Sequence, residues 1–232
     1  MQILAIESAA KAAGAAVLCD GRLICEQFVN NGLTHSRTLM ELIDGVLRAA
    51  GKKVTDMDGI AVDVGPGSFT GIRIGLGTAK GLALGADKPI AAVPSLLGMA
   101  WLMAGYPGTI VPIMDARRGE VYGAAYAFEN GVPKEILPME PQPLSALLEK
   151  IDTAVFIGDG AEVHREAIIE KMGNRADFAP PHLLHQHAAG VGLAARHIEW
   201  QSAHDAAPIY LRLAQAEREW LTKENKDDCH RK

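Results

Sequence analysis

The glycine-rich stretch from residue 65 to residue 85 constrains the fold more than any other part of the sequence. It reads GPGSFTGIRIGLGTAKGLALG and follows the short apolar run from Gly59 to Val64, an order that predicts a strand, a tight turn and a helix. Ser68 or Thr70 can cap this helix, because either side-chain oxygen can accept an amide hydrogen of the first turn. We assign the glycine loop to Gly65, Pro66, Gly67, Ser68 and Thr70.

The helix that follows the loop carries several glycines at helical spacing. Gly71 and Gly75 fall along one side, and Gly77, Gly81 and Gly85 fall along another. Each interior glycine costs about 1 kcal/mol relative to alanine, so the pattern needs a packing reason. Charged residues within the run exclude a membrane span. The sequence therefore predicts a helix that packs closely against its own sheet or against a partner helix, and it leaves that choice open.

The glycine loop has a second interpretation as a phosphate-binding turn. Free backbone amides at a helix N-terminus bind anions. A P-loop, however, has Gly-Lys-Ser/Thr at the helix start, where this chain has Thr70-Gly71-Ile72. We therefore favour a packing role for the glycines, since glycine turns before helices are common in any case.

Composition and charge indicate a globular chain and narrow its class. The 232 residues are 48% hydrophobic, which is enough for one large domain or two small lobes. The formal net charge is -5 without a basic stripe, so a broad nucleic-acid-binding face is disfavoured while a local patch stays open. Three cysteines without CxxC spacing favour a reducing compartment. The start does not resemble a signal peptide and no apolar run reaches membrane length, so we expect a cytoplasmic protein without a membrane partner.

The remaining pattern begins with hairpin strands and continues with alternating helices and strands. Asp20-Gly21 marks the hairpin turn, and a helix is predicted from Ser36 to Ala50. An irregular, proline-rich segment is predicted at 134–143 and a helix at 187–201. This order predicts an α/β protein in which a mixed sheet carries helices.

The predicted helix at 36–50 has an apolar stripe broader than the single face that an ordinary surface helix buries. The stripe consists of Leu39, Met40, Leu42, Ile43, Val46 and Leu47. The helix could be sandwiched within its own domain, or it could place one face on the sheet and another on a partner. The stripe alone does not separate these two interpretations.

Several motifs together resemble the TsaB family of bacterial tRNA threonylcarbamoyladenosine biosynthesis proteins. They are the segments 3–8, 35–36, 65–73, 79–83, 115–122 and 210–212. The resemblance covers nearly the whole chain and implies a two-lobed actin-like, sugar-kinase-like α/β fold with mixed sheets flanked by helices. It implies an N-terminal lobe at 1–105, a smaller C-terminal lobe at 106–222 and a loose charged tail at 223–232.

The resemblance also implies a function that depends on partners. Family members are non-catalytic and pair with the paralogue TsaD, which transfers a threonylcarbamoyl group to N6 of the adenosine 3′ of the anticodon in tRNAs reading codons that begin with A. The ATPase TsaE joins the pair, and TsaB alone forms a homodimer through the same surface. The chain is then expected to bind no cofactor alone, with ATP and Mg²⁺ brought by partners, and to meet tRNA only indirectly. Carried onto this sequence, the partner interface comprises His35, Leu39, Leu42, Ile43, Val46, Gly71, Gly75, Leu76, Thr78 and Lys80.

The chain departs from the family pattern at two places. The catalytic paralogue holds a metal with two histidines, and Ser95 and Met99 occupy the matching positions here, so we expect no metal site. A metallopeptidase, the older interpretation of this glycoprotease-like family, would need the same two histidines, so their absence argues against that activity as well. Glu7 and Ser8 replace the usual Asp-Thr, which leaves Glu7, Ser8 and Gly158 as candidate degenerate nucleotide contacts. If these three residues do bind nucleotide, the alternative function is a self-sufficient ATP-binding enzyme, such as a small kinase or ATPase.

Two charged clusters have structural interpretations that we favour over catalytic ones. His182, His185 and His187 lack a nearby carboxylate or cysteine in sequence, which predicts a polar loop leading into a helix rather than a zinc site. Asp115, Arg117, Arg118 and Glu120 predict a charged hairpin end that satisfies its own ion pairs.

Overall fold

The computed structural model describes residues 1–212, which form two β-sheets with helices on their faces. The strands are β1 (Gln2–Glu7), β2 (Ala13–Cys19), β3 (Arg22–Val29), β4 (Gly59–Asp63), β5 (Ile90–Val93), β6 (Ile110–Asp115), β7 (Glu120–Glu129), β8 (Val132–Pro143), β9 (Ala154–Ile157), β10 (Ala176–Phe178) and β11 (Trp200–Gln201). The helices are α1 (His35–Ala50), α2 (Phe69–Ala86), α3 (Ser95–Leu102), α4 (Leu144–Glu149), α5 (Asp159–Val163), α6 (Arg165–Met172) and α7 (Ala188–Ala194). Within this part of the chain, no helix has both the length and the apolar character needed to cross a membrane.

Both sheets are mixed, which confirms the predicted α/β class. The first sheet has the strand order β11-β5-β4-β1-β2-β3, with β1, β4 and β5 parallel and the other pairs antiparallel. The second has the order β10-β9-β6-β7-β8, with β9 parallel to both β6 and β10.

The first sheet is covered by helices on both faces, which explains why its central strand β1 is apolar from Ile3 to Ile6. Leu4 and Ile6 of β1 pack in one cluster with residues of α1 and α2. Ile3 and Ala5, on the opposite face, pack in another cluster with residues of α3 and α7. A strand buried on both sides has no solvent-facing positions, so the alternation of apolar and polar residues disappears.

Helix α3 lies between the two sheets. Trp101 packs in the cluster of the first sheet, whereas Leu96 and Met99 pack with Ile110 and Val155 of the second sheet. The cores of the two sheets therefore meet at this helix, and the cleft described below opens beside it.

The proline-rich segment predicted to be irregular is instead the long strand β8, and that prediction was wrong. In the described part of the chain, strand β8 pairs only with β7 and lies at the edge of the second sheet. Proline lacks an amide hydrogen, but an edge strand leaves one side of its backbone unpaired, so proline is tolerated there. Register shifts at Gly123 and Ala125 of β7 accompany this pairing.

The helix predicted at 187–201 is also wrong in its second half. Helix α7 ends at Ala194, and the chain then adds β11 to the first sheet beside β5. Helix α7 therefore packs on the first sheet and β11 joins it, although the family resemblance implied that these residues lie in the C-terminal lobe at 106–222. The reason is that α7 covers the face formed by Ile3, Ala5 and Leu18, which would otherwise be exposed to water. The predicted tail at 223–232 lies outside the described residues.

Candidate functional site at the cleft between the two sheets

The glycine loop leads into α2, and Ser68 is the N-cap of this helix. Ser68 was one of the two predicted caps, the other being Thr70. The Oγ of Ser68 accepts a hydrogen bond from the amide of Gly71 at 3.2 Å. Gly65 has a φ of +107°, a conformation that side-chain-bearing residues avoid. A Cβ atom at this position would lie 2.6 Å from the carbonyl oxygen of Ile209. Glycine at 65 therefore allows the segment at 209–212 to come against the loop.

The first glycines of α2 pack against the end of β1. Ser8 Oγ donates a hydrogen bond to the carbonyl oxygen of Gly71 at 3.0 Å. A Cβ atom at Gly71 would overlap the carbonyl oxygen of Ser8, and a Cβ atom at Gly75 would overlap its Oγ. These two glycines therefore allow the helix to pack closely on its own sheet. The sequence had left open whether they face the sheet or a partner helix.

Two carboxyl groups lie buried beneath this contact. Glu7 is 1% exposed and Asp63 is fully buried. Glu7 Oε1 accepts the amide of Ala9 at 2.8 Å, and Asp63 Oδ1 accepts the amide of Ser8 at 2.9 Å. Ser95 Oγ donates to Asp63 Oδ2 at 3.4 Å. The ends of β1 and β4 and the start of α3 are thus tied together by groups that do not face solvent.

Burial changes the protonation of this pair. Removal from water raises the pKa of Asp63 to about 7, against the hydrogen bonds from Ser8 and Ser95, which favour the ionised form. Removal from water also raises the pKa of Glu7 well above its ordinary value, and the neighbouring charge of Asp63 raises it further. The pair therefore holds protons near neutral pH that exposed carboxyl groups would release.

A second acidic group lies on the side of the other sheet. Gln186 Nε2 donates to Asp159 Oδ1 at 2.9 Å, and His164 Nε2 lies 3.2 Å from Asp115 Oδ1. Burial is the main cause that raises the pKa of Asp159, and the charge of Asp115 adds to it.

A cleft of about 470 Å³ opens between these two acidic groups, within the usual size range of small-molecule sites. Its walls are the residues 66–70 of the glycine loop and α2, the turn Ala9–Lys11, the turn 114–117, Tyr122, Asp159 and the segment 209–212. Both sheets contribute walls, so the cleft is the interlobe cleft of the fold.

The segment 209–212 crosses this cleft and ties its two sides together. The amide of Ile209 donates to the carbonyl oxygen of Val64 at 2.7 Å. Tyr210 stacks on Phe69 with ring centroids 4.8 Å apart, and its Oη accepts a hydrogen bond from Arg73 Nε at 2.8 Å.

The far end of the segment reaches the second sheet. Arg212 Nη1 donates to the carbonyl oxygen of Ala116 at 3.2 Å, and the guanidinium forms an ion pair with Glu120. We call residues 209–212 the strap. The predicted self-contained ion pairs of the hairpin end are thus wrong in one respect: Glu120 pairs with the strap and Asp115 with His164.

The three candidate nucleotide contacts lie beneath the cleft and not in its walls. Glu7 and Ser8 are buried and hydrogen-bonded within the chain. Gly158, with a φ of +108°, donates its amide hydrogen to the carbonyl oxygen of Leu184 at 2.7 Å. All three therefore have internal partners that a nucleotide would have to displace.

Most of the predicted partner-interface residues face the protein's own core. The buried members are Leu39, Leu42, Ile43, Val46, Gly71, Gly75 and Leu76. Strands β2 and β3 and helix α2 pack against the wide stripe of α1 and cover it. A side chain covered by its own sheet leaves little surface for a partner, and the assignment of these positions to the partner interface stays a prediction.

The other three predicted interface residues are partly exposed. His35 Nε2 lies 2.7 Å from the carbonyl oxygen of Ala10, so His35 ties the start of α1 to the turn beside the cleft. Helix α1 begins at His35 with Thr34 as the N-cap, which corrects the predicted cap at Ser36. Lys80 Nζ donates to the carbonyl oxygen of His204 at 3.3 Å, and Thr78 is half-buried.

The positions that match the paralogue's metal ligands are part of the core. Ser95 and Met99 are both 1% exposed, and Ser95 is hydrogen-bonded to Asp63. Over residues 1–212, no three metal-ligating side chains come together. In the predicted histidine loop, His187 instead pairs with Glu26 at 3.1 Å.

Sequence reasoning missed two parts of this site. Asp63 ends an otherwise apolar strand, which is a visible signal of a buried acid. Tyr210 and Arg212 were noticed as a motif without a role, and Arg73 only as a charge within the helix. Their common function in the strap depends on contacts between residues more than ninety positions apart, which no local pattern reveals.

Comparisons with known proteins agree with this geometry. The family model for TsaD, tRNA N6-adenosine threonylcarbamoyltransferase, matches residues 31–220. The tRNA threonylcarbamoyladenosine biosynthesis protein TsaB of Bacillus subtilis is 33% identical over 225 residues, covering 95% of this chain and 98% of the relative.

Solved structures show the same relationship. A Pseudomonas aeruginosa structure described as similar to peptidase YEAZ superposes with a TM-score of 0.75 and 27% identity, covering 91% of this chain and 99% of that one. Component A of the (R)-2-hydroxyglutaryl-CoA dehydratase of Acidaminococcus fermentans has a TM-score of 0.51 at 16% identity, covering 85% of this chain and 98% of that one, and shares the fold alone. The fold is the predicted actin-like α/β fold, and the chain belongs to the TsaB family of tRNA threonylcarbamoyladenosine biosynthesis proteins.

Proposed function

We propose that this chain is a non-catalytic subunit in the biosynthesis of tRNA threonylcarbamoyladenosine, and that it acts in the cytoplasm. It pairs with the catalytic paralogue TsaD, and TsaE joins the assembly. In the absence of TsaD it forms a homodimer through the same surface. ATP and Mg²⁺ enter the assembly through the partners.

One observation carries this proposal. The side chains that an actin-like enzyme would need for chemistry are hydrogen-bonded or packed within this chain. Glu7 accepts the amide of Ala9, Asp63 accepts the amide of Ser8, and Ser8 Oγ donates to a carbonyl oxygen of α2. Ser95 and Met99 are packed in the core at the positions of the paralogue's metal ligands. These residues stabilise the chain and leave the transfer reaction to a partner.

The exposed side of α2 supports a partner that is a helix. Among residues 1–212, a Cβ atom at Gly77, Gly81 or Gly85 would meet nothing within 4 Å. Each of these glycines costs about 1 kcal/mol of helix stability without an internal packing reason, and small residues let another helix approach closely. Leu84, 53% exposed, lies among them. We call this surface the small-residue face of α2.

Helix α1 adds an exposed apolar residue to the same proposal. Met40 is 52% exposed, although its neighbours Leu39 and Ile43 are buried. Methionine adapts its shape to irregular contacts. We therefore place Met40 in the partner interface.

A substitution on the small-residue face tests the interface. Gly81→Arg should abolish co-purification with TsaD, because the long side chain prevents close approach of a helix. Arginine has a higher helix propensity than glycine, so the melting temperature of the isolated chain should stay the same or rise. Gly105→Arg is a matched control, since Gly105 is exposed, lies after α3 and has open space around it. Retained binding of the Gly81→Arg variant would remove this face from the interface.

Reconstitution tests the function itself. The chain is combined with TsaD, TsaE and the enzyme that makes threonylcarbamoyl-adenylate, and transfer to tRNA is measured with and without it. We expect transfer to depend on the chain and the chain alone to transfer nothing. Equal transfer in its absence would show that the proposed role is wrong.

The alternative function, a self-sufficient ATP-binding enzyme, draws support from the cleft of about 470 Å³ beside the glycine loop. Titration of the isolated chain with ATP and Mg²⁺ by calorimetry separates the two. Micromolar affinity that disappears in a folded Glu7→Ala variant would favour the enzyme. No heat of binding at millimolar ATP would favour the subunit.

A further inference from the structure

Positive charge gathers at the mouth of the cleft, although the chain as a whole has a net charge of -5. Lys11 and Arg117 line the cleft, and Arg118 follows in the same turn. Arg73 reaches the cleft through its hydrogen bond to Tyr210. We call these four side chains the cationic rim. Within residues 1–212, none of them forms an ion pair with a carboxylate.

The turn that carries two of these charges is held in a defined conformation. Arg117 and Arg118 have φ angles of +64° and +59°, a left-handed conformation that non-glycine residues adopt only when their surroundings enforce it. The amide of Arg117 donates to Asp115 Oδ1 at 3.0 Å, and the strap residue Arg212 donates to the carbonyl oxygen of Ala116 at 3.2 Å. The backbone of this exposed turn is therefore fixed by contacts from two directions.

An aromatic group lies beside the cations. Tyr210 is 40% exposed, and its ring stacks on Phe69. The guanidinium of Arg73 lies 3.8 Å above the ring of Phe69 and donates to the hydroxyl of Tyr210. An exposed, immobilised aromatic ring next to unpaired cations is the arrangement by which proteins hold single-stranded nucleic acid, with phosphates on the cations and a base on the ring.

We propose that the cationic rim binds a single-stranded segment of RNA, which on the function proposed above is the tRNA substrate. Phosphates contact Lys11, Arg117 and Arg118, and an unstacked base lies on Tyr210. The cations come from different turns and from α2, so they fit a chain of phosphates that crosses the mouth of the cleft. Asp159, deeper in the cleft, repels phosphate and keeps the strand at the mouth.

Fluorescence anisotropy with a labelled anticodon stem-loop RNA tests this site on the isolated chain and on its complex with TsaD. The double variant Lys11→Glu/Arg117→Glu should bind at least tenfold more weakly at 0.1 M salt. Single-stranded RNA gives a salt slope of about −0.7 per phosphate contact, so the loss of two contacts should reduce the slope by about 1.4. The control Lys52→Glu/Lys53→Glu carries the same change in charge at two exposed residues after α1, at the opposite end of the first sheet, and should bind within twofold of the wild type.

Three further readouts keep the result decisive. The single variant Arg118→Glu should weaken binding on its own, and all variants should keep the wild-type melting temperature, because the substituted side chains are exposed. ATP at 1 mM should not displace the RNA; displacement would assign the site to a free nucleotide and overturn the proposal. Equal RNA affinity of wild type and double variant, or no RNA affinity of the wild type in either form, would also overturn it. If RNA binding fails in this way but reconstituted transfer still depends on the chain, the subunit function is retained and only the RNA site at the cationic rim is wrong.

Discussion

The two ends of α2 use the same residue type for opposite purposes. At the N-terminal end, Gly71 and Gly75 lie against Ser8, where any Cβ atom would overlap the end of β1. Toward the C-terminal end, no described residue lies within 4 Å of the position of a Cβ atom at Gly77 or Gly81. The first pair is required by the fold of this chain alone, whereas the second costs helix stability without a packing reason among residues 1–212, which is why we propose a partner at that surface. Glycines in a helix therefore have to be interpreted one at a time, from what a methyl group would meet.

The largest effect should come from the same substitution at the two ends. Gly71→Val should destabilise the fold by more than about 4 kcal/mol or prevent folding, because the carbonyl oxygen of Ser8 is backbone and cannot rotate away. Gly77→Val should leave the free energy of unfolding within about 0.5 kcal/mol of the wild type. Urea unfolding of both variants measures the difference. Equal stability of the two variants would show that the glycines at the two ends of α2 do not differ in their packing role.

The acid pair beneath the buried end of α2 predicts a pH dependence. Because folding raises the pKa of Asp63 from an ordinary 3.8 to about 7, the folded chain keeps a proton that the unfolded chain releases in this range. Stability should therefore fall as the pH rises from about 4 to about 7, and Glu7, whose pKa burial also raises, should add to the fall. At 1.36 kcal/mol per pH unit, the loss that comes from Asp63 is roughly 4 kcal/mol.

Urea unfolding at a series of pH values checks this dependence. Asp63→Asn, which stays neutral, should make the fall in stability smaller and leave the part that comes from buried Glu7, whereas Asp87→Asn at the exposed end of α2 should keep the wild-type shape. A wild-type curve that rises over the same range would mean that the pair is ionised in the folded chain.

The strap joins the buried end of α2 to the second sheet, and its removal should have a smaller effect. Arg212→Ala deletes the ion pair with Glu120 and the hydrogen bond to Ala116, which should cost about 1–2 kcal/mol for partly exposed groups. Hydrogen exchange at the amides of Ala116 and Glu120 should accelerate. Arg118→Ala, in the same turn without such contacts, should change neither quantity, and equal effects of the two variants would argue against a strap.

The smallest predicted effect is an increase in the stability of the isolated chain. Gly77→Ala should stabilise the isolated chain by about 0.5–1 kcal/mol, because alanine restores helix propensity and meets no neighbour. For a chain of this size the melting temperature should rise by about 1–4 °C. A loss of stability would reveal a packing reason for Gly77 within the chain itself.

Much of the fold followed from local pattern. The order strand, glycine turn and helix at 59–86 was predictable, because apolar periodicity, an N-cap and glycine each act over a few residues. The wide stripe of α1 was visible, but its partner was not: Leu39, Ile43 and Val46 meet β2, β3 and α2, and an apolar face carries no label for what covers it. Likewise, Pro138 and Pro141 suggested an irregular segment, because position at a sheet edge is not a local property.

The candidate site divides in the same way. The sequence contained the glycine loop, the acid at the end of β1 and the Tyr210-Leu211-Arg212 motif, and together with the family resemblance these residues established the actin-like fold. Only the tertiary structure showed that Glu7 and Ser8 are turned into the core, that Gly71 and Gly75 serve the chain itself, and that the strap closes one side of the cleft. The reason is physical: residue type and spacing specify which interactions a side chain can make, but burial and distance across the fold select the partner with which it makes them.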